Sequence, residues 1–285
     1  MVKKYLKSIR IINILLIGIL YWGLYFQYNG ASNLNIDHFL LFCSVVFTLC
    51  SGYLINNYYD IESDSINKKL IENTSKKYFL ILYFLHLILS FLCLFLSNLS
   101  GGWVQMVMLC HFLVFYYSLK LQHLPLIGNI SVAFLCVIAL SIPNYIFNNE
   151  IQINTLKVEN SISSTYIVFC FFFTLIREII KDVEDIEGDK YVKSKTFPLL
   201  IGVSSTKVLI SFFIVFIIFL LAIAMISSSF TTLNLFFYLP VILVSFYFMY
   251  SLLVNFKQPP YPLLSRLIKA KFFLASIWLY VNLIL

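Results

Sequence analysis

"FLLFCSVVFTLCSGYLINNYYDIESDSINKK" (Phe39–Lys69) runs from an apolar stretch straight into a knot of acids. No charged side chain occurs between Phe39 and Tyr59, and then Asp60, Glu62 and Asp64 follow within five positions. An uncharged run of this kind is the length that crosses a bilayer core, which takes about 20 mostly apolar residues as a helix. A second knot, "REIIKDVEDIEGDK" (Arg177–Lys190), ends another apolar run more than a hundred residues later. Carboxylates gathered at the ends of membrane-length helices predict an all-α transmembrane bundle with its chemistry on one face.

The rest of the chain agrees. Of 285 residues 61% are hydrophobic and only 12% charged, against about 25% charged in a soluble domain; the mean hydropathy is +0.91. Apolar runs fall at residues 11–28, 37–57, 78–98, 102–119, 126–147, 164–181, 207–228, 233–255 and 268–285, which predicts about nine spanning helices in a single domain, 1–285. Helices and closed barrels are the only structures that satisfy every backbone group in lipid, and no two-residue alternation suggests strands. With the N-terminus inside, all of the 20 lysines and arginines except Lys157 fall on one side. Positive charge marks the cytoplasmic side, so the expectation is a multi-pass protein of the cell inner membrane with its N-terminus and acidic loops cytoplasmic. The basic-then-apolar N-terminus is followed by no A-x-A-like cleavage site, so it reads as a retained first helix. The net charge of +7 does not indicate nucleic acid, because the lysines flank apolar segments, where they meet anionic membrane lipids. Six cysteines (Cys43, Cys50, Cys93, Cys110, Cys136, Cys170) sit singly in apolar runs with no C-x-x-C, which indicates neither a zinc site nor a disulfide framework.

Ten of the 13 acids lie in the two inside loops: Asp60, Glu62, Asp64, Glu72, Glu178, Asp182, Glu184, Asp185, Glu187 and Asp189. The positive-inside rule does not require this. Residues at i and i+4 share a helix face, so Asn56, Asp60 and Asp64 form one stripe, and Glu178, Asp182, Asp185 and Asp189 another. Such stacks repel unless cations lie between them. A solvated charged loop, neutralised by Lys68, Lys69, Lys181 and Lys190, accounts for one run alone; two runs in helical register on one side favour a divalent cation. Mg²⁺ typically uses one or two carboxylates plus substrate phosphates, so facing acidic stripes suit a metal-bridged diphosphate, with Arg177 and the lysines on its free oxygens. Glu62, Glu184 and Glu187 lie off the stripes and are expected to face solvent. The two acidic loops, each following an even-numbered span, suggest an internal repeat.

These residues carry a family resemblance. "NNYYDIESD" is similar to the N-D-x-x-D-x-x-x-D motif of the UbiA superfamily of intramembrane prenyltransferases, and "DVEDIEGD" resembles its second aspartate motif. "YYSLKLQHLPLIGN" (Tyr116–Asn129) resembles the family's Y-x-x-x-K stretch, with Tyr116 and Lys120 in the matching places. "RIIN" (Arg10–Asn13) is similar to the R-x-x-N of the first helix, and "KTFPLLIG" (Lys195–Gly202) to the stretch after the second motif. The chain departs from the pattern where Asn57 replaces an Asp, and where "INKKLIENTSKK" lacks an Arg-Pro whose charge Lys68 and Lys69 would supply.

The resemblance implies Mg²⁺-dependent transfer of a prenyl group from an allylic prenyl diphosphate to a lipophilic acceptor inside the membrane. It assigns Asp60 and Asp64 to one ion and Asp182, Asp185 and Asp189 to the other, as catalytic and metal-binding residues. Candidate substrate-binding residues are Asn13, Asn56, Asn57, Lys68, Tyr116, Lys120, Arg177 and Lys181, with Asn56 orienting a carboxylate or a metal-bound water. "REIIKDVEDIEGD" is most similar to members that use geranylgeranylglyceryl phosphate as acceptor; aromatic quinone precursors such as hydroxybenzoate or dihydroxynaphthoate are the alternative. A basic flank is ordinary for any first helix, so Arg10 is weighed lightly, and the histidines are assigned no role.

Other classes fit less well. A cation transporter would place its acids near the bilayer midplane. A phosphatidyl-type alcohol transferase would show two glycines and an arginine between its early aspartates. A non-catalytic scaffold would release no diphosphate.

Overall fold

The computed structural model describes residues 2–29, 35–67, 74–99, 101–150, 161–227, 232–254 and 261–284. Among them the chain is all helix, with no strand. The expected spans are long helices: α2 (Ile11–Asn29), α3 (Ile36–Tyr59), α5 (Lys76–Leu96), α6 (Gly101–Leu119), α7 (Ile127–Glu150), α8 (Ser161–Glu184), α11 (Val203–Ser227), α12 (Thr232–Val254) and α13 (Tyr261–Ile284). Four short helices join them: α1 (Val2–Ser8), α4 (Ile61–Ile66), α9 (Ile186–Tyr191) and α10 (Phe197–Ile201). A 3-10 turn at Leu121–His123 links α6 to α7.

By length and apolar composition alone, four of the described helices can cross a membrane, and α1 with α2, bent by 62°, makes a fifth. Helices α8 and α13 carry charged residues whose side chains turn inward. Arg177, Glu178 and Lys181 of α8 and Lys269 of α13 line an internal cavity. Lys271 is 3% exposed, bonded to Ser245 at 2.9 Å, with its ammonium 4.6 Å from the Phe173 ring centre.

Local chemistry sets the helix ends. The side chain of Asn35 caps α3 by accepting from the Asp37 amide, and Ser75 caps α5 by accepting from Tyr78. Between α1 and α2 the chain turns at Arg10, whose φ of 52° lies in the left-handed region. That costs on the order of 1 kcal/mol for a residue with a Cβ.

Lipid gives no hydrophobic drive between helices, so association rests on close packing and interhelical hydrogen bonds. Helices α3, α5 and α6 use both. Ser44 and Thr48 bond Ser90 of α5 at 2.9 and 3.0 Å, and Thr48 bonds His111 of α6 at 3.2 Å. A Cβ on Gly52 would lie 2.7 Å from Val114, so α3 and α6 meet at a bare backbone. A second apolar core joins α8 and α11–α13 through Ile176, Ile180, Ile214, Ile217, Phe248 and Ile268. Helices α2, α3, α6, α7, α8 and α13 surround the interior space.

Candidate active site

Both acidic knots are built the same way. Helix α3 ends at Tyr59, Asp60 stands at the junction, and α4 begins at Ile61; helix α8 ends at Glu184, Asp185 stands at the junction, and α9 begins at Ile186. The backbone bonds Asp60 N to Asn56 O, Asp64 N to Asp60 O, Asp185 N to Lys181 O and Asp189 N to Asp185 O carry the helical register across both breaks. The motif D-I-E-x-D therefore occurs twice in equivalent structure, as Asp60–Asp64 and Asp185–Asp189. Helices α4 and α9 lie against each other. Asn67 links them, accepting from the Gly188 amide at 3.0 Å and donating to the Asp185 carboxylate at 3.3 Å. A Cβ at Gly188 would lie 2.7 Å from the Ser63 carbonyl oxygen, so this approach needs glycine.

The five aspartates Asp60, Asp64, Asp182, Asp185 and Asp189 line one polar cavity of about 280 Å³, together with Lys7, Arg10, Asn57, Tyr117, Gln122, Lys181 and Thr196 among others. Asp60 accepts from Asn56 at 2.7 Å and from Gln122 at 2.8 Å, while Asn56 also donates to the Gln122 carbonyl and accepts from Arg10 at 3.4 Å. Asp182 accepts from Asn129 at 2.8 Å. Burial raises Asp60 and Asp64 above the usual carboxylate range; Lys181 and Arg10 oppose this at both, and the nearby Asp60 charge adds to it at Asp64. Burial with the Asp185 charge lifts Asp189 to about 6. A set of oxygen ligands held above their ordinary range is what a hard divalent cation would relieve. Among the described residues no three such groups converge on a single ion. Mg²⁺ takes one or two carboxylates and fills the rest of its shell with water and substrate oxygens.

Behind this cavity lies an apolar one of about 180 Å³, walled by Leu16, Val45, Val107, Leu135, Ile142, Phe272 and their neighbours. Arg10, Tyr117 and Lys181 line both. Charged groups collect where the two meet. Arg177 donates to Glu178 at 2.6 Å, and Lys181 lies 3.9 Å from the same carboxylate.

The structure brings together most of the residues singled out from sequence. The five aspartates, Asn57 and Lys181 line the polar cavity, and Asn56 orients Asp60 from its edge. Asn13 lines the apolar cavity and donates to the Tyr53 hydroxyl at 3.3 Å. Arg177 lines the apolar cavity and not the aspartate cavity, as does Glu178, which leaves the second acidic stripe. Tyr116 stacks on Phe112 at 5.9 Å and Lys120 is exposed; neither lines either of these two cavities. Lys68, with Lys69 and Glu72, lies outside the described residues. Glu62 and Glu187 are exposed, as expected, whereas Glu184 is half-buried.

Sequence reasoning passed over Arg10, Tyr117, Gln122, His123, Asn129 and Lys269. Tyr117 was findable, because Val107, Cys110, Val114 and Tyr117 form a helical stripe that lines the apolar cavity. Asn57, the departure from the family pattern, donates to the Ser8 carbonyl at 2.9 Å, a bond an aspartate could not make.

Comparison with known proteins bears on this geometry. The model of the UbiA prenyltransferase family matches residues 16–277. The chain belongs to the UbiA prenyltransferase family. It is therefore a prenyltransferase of an integral-membrane type. It is 32% identical over 182 residues to the digeranylgeranylglyceryl phosphate synthase of Methanobrevibacter smithii, covering 60% of this chain and 61% of that protein. It is 30% identical over 223 residues to the synthase of that name from Pyrococcus horikoshii, covering 74% of this chain and 73% of the relative. In fold it is similar to a UbiA homologue of Archaeoglobus fulgidus solved with GPP and Mg²⁺. There the TM-score is 0.62 and the identity 17%, over 96% of this chain and 99% of that one. A structure from work on digeranylgeranylglyceryl phosphate synthase in membranes matches with a TM-score of 0.69 and 21% identity, over 99% of this chain and 98% of that one.

Proposed function

We propose that this prenyltransferase moves a geranylgeranyl group from geranylgeranyl diphosphate to geranylgeranylglyceryl phosphate, forming an ether lipid, with Mg²⁺ as its cofactor. The observation that carries the reading is the joint at Arg10, Tyr117 and Lys181 between a cavity of aspartates and an apolar one. An allylic prenyl diphosphate has this same division, a hydrophilic head on an isoprenoid tail. The names of the two relatives favour the ether-lipid acceptor.

Asp60 and Asp64 would hold one ion; Asp182, Asp185 and Asp189 line the cavity without converging on one point, so the other ion would take one or two of them directly and the rest through its waters. Magnesium bound there supplies Lewis-acid charge to the departing diphosphate. Lys7, Arg10 and Lys181 donate to phosphate oxygens from the walls of the same cavity. Asn56 and Gln122 fix the Asp60 carboxylate so that it does not swing on metal entry. The apolar walls keep water from the allylic cation until the acceptor captures it. Tyr53 and Tyr117 put aromatic faces near the joint, where they favour positive charge. The acidic loops face the cytoplasm, in accord with the distribution of lysine and arginine, and the membrane is the cell's inner one.

The test follows diphosphate release and product formation by the purified protein from geranylgeranyl diphosphate and Mg²⁺. Geranylgeranylglyceryl phosphate, hydroxybenzoate and dihydroxynaphthoate are supplied in parallel. Turnover with the glyceryl phosphate, abolished in Asp60→Ala and Asp189→Ala, is the expected result. Turnover that survives both substitutions, or that uses only an aromatic acceptor, overturns the proposal.

A further inference from the structure

The donor needs a metal-filled polar cavity and an apolar one for its tail. It does not need the positive charge that lies inside the apolar cavity. Four cations, Arg10, Arg177, Lys181 and Lys269, line that cavity against one carboxylate, Glu178. Arg177 and Lys269 are absent from the aspartate cavity. They come from different helices, α8 and α13, and face the same space. Lys269 is half-buried, close enough to Arg10, Arg177 and Glu178 to feel their charges, with no salt bridge among the described residues.

Glu178 cannot satisfy this cluster. Its oxygens are shared between Arg177 at 2.6 Å and Lys181 at 3.9 Å, and it is 5% exposed. The Nε of Arg177 is buried with no hydrogen-bond partner. A buried guanidinium donor left without an acceptor is costly and uncommon in a native protein. Uncompensated positive charge among apolar walls is costlier still, unless a ligand anion completes the site.

We propose that Arg177 and Lys269 form a metal-free anion subsite that binds the phosphate of the acceptor. This rests on the ether-lipid reading above. The division of labour follows from charge: the aspartates take the donor's diphosphate through cations, while the phosphomonoester, carrying about −1.5 to −2 at pH 7, meets arginine and lysine directly. The guanidinium fork suits a tetrahedral phosphate better than a point charge does. An acceptor anchored there lies beside the joint at Arg10, Tyr117 and Lys181, where the donor's head and tail meet. Its free hydroxyl, a few bonds from the phosphate, is then close to the allylic carbon.

Lys269→Gln and Arg177→Gln, with Arg177→Lys as the conservative control, are compared with the wild type. KM is measured for geranylgeranylglyceryl phosphate and separately for geranylgeranyl diphosphate. Binding of geranylgeranylglyceryl phosphate, of geranylgeranylglycerol lacking the phosphate, and of hydroxybenzoate is measured without donor. Each Gln variant is expected to raise the acceptor KM about tenfold or more, the usual cost of one charge-assisted bond, with donor KM within twofold. Both variants should narrow the preference for the phosphorylated over the neutral lipid, and Arg177→Lys should recover part of it. Lys269→Gln keeps the test decisive if Arg177→Gln, which strands Glu178, fails to fold. Unchanged acceptor KM, or an equal rise for donor and acceptor, overturns the subsite and leaves the proposed reaction standing. Charge-dependent binding of hydroxybenzoate alone keeps an anion subsite but overturns its assignment to a phosphate. Absence of binding by the wild type to either anionic acceptor overturns both.

Discussion

Replacing Gly188 by alanine tests whether the contact between α4 and α9 sets the spacing of the two carboxylate pairs. The new methyl would stand 2.7 Å from the Ser63 carbonyl oxygen, where ordinary contact begins at 3.4 Å. It also meets the Asn67 amide, but that side chain can rotate away, whereas the Ser63 oxygen belongs to the backbone of α4. The two short helices must then separate by about 0.7 Å, the difference between those distances. Overpacking of this kind costs about 1–3 kcal/mol. A displacement near 1 Å of groups that position a reaction costs about 100-fold in rate. Because Asp60, Asp64, Asp185 and Asp189 ride on these helices, kcat should fall by about 10- to 100-fold, and more Mg²⁺ should be needed for half-maximal rate. Melting in detergent should drop only modestly, since the long helices do not touch the change. The additional change Asn67→Ala should not restore activity, because the backbone oxygen is still in place. A Gly188→Ala protein with full activity and unchanged Mg²⁺ requirement would falsify the view that this contact spaces the metal ligands.

Other perturbations follow from the same geometry. Asn56→Ala removes the donors that hold Asp60 and Gln122, and should lower kcat about tenfold while leaving expression intact; steady-state kinetics at saturating Mg²⁺ is the check. Asn57→Asp replaces the donor to the Ser8 carbonyl with another anion, so it should destabilise the protein by about 1–3 kcal/mol despite moving toward the family pattern, as thermal melting would show. In a chelator the wild-type protein should lose stability as pH rises from about 4 to about 6. Asp189 is lifted to about 6 in the fold, above its unfolded value, so its protonated form favours folding below that window. Asp189→Asn should flatten this slope, and Mg²⁺ at pH 8 should stabilise the wild type more than the variant.

The helices were legible because hydropathy and caps act locally. Spans read at 37–57 and 102–119 became Ile36–Tyr59 and Gly101–Leu119. The last span begins at Tyr261 and not at 268, since the helix runs on through Arg266, which bounds the apolar run in sequence, while Lys269 and Lys271 inside the run turn into the protein. The aspartates were legible too, since their spacing survives both helix breaks. Their partners were not. Gln122 reaches Asp60 across 62 positions from the α6–α7 connection, and Asn129 reaches Asp182 across 53 from the first turn of α7. No local pattern announces such a contact; only the packing of α3, α7 and α8 creates it. Tyr116 and Tyr117 are neighbours in sequence but about 100° apart on a helix, so a motif letter alone chose the wrong face.

The doubled D-I-E-x-D explains the likeness of the two knots and bears on the direction of the reaction space. In each, a long helix ends at an aspartate and a short helix carries a second aspartate four residues later. The residues one turn earlier differ: Asn56 and Asn57 in the first half, Lys181 and Asp182 in the second. The first pair is neutral and spends its hydrogen bonds on Asp60 and Ser8, so it fixes the scaffold. The second pair is charged, and Lys181 lies on both cavities. A diphosphate held between equal knots would have no reason to point its tail either way. The extra lysine on one knot, which with Arg10 lines both cavities, breaks that symmetry and marks the side on which the apolar cavity opens. On the proposed reading the repeat supplies the metal ligands, and its one-sided departure from repetition supplies the orientation.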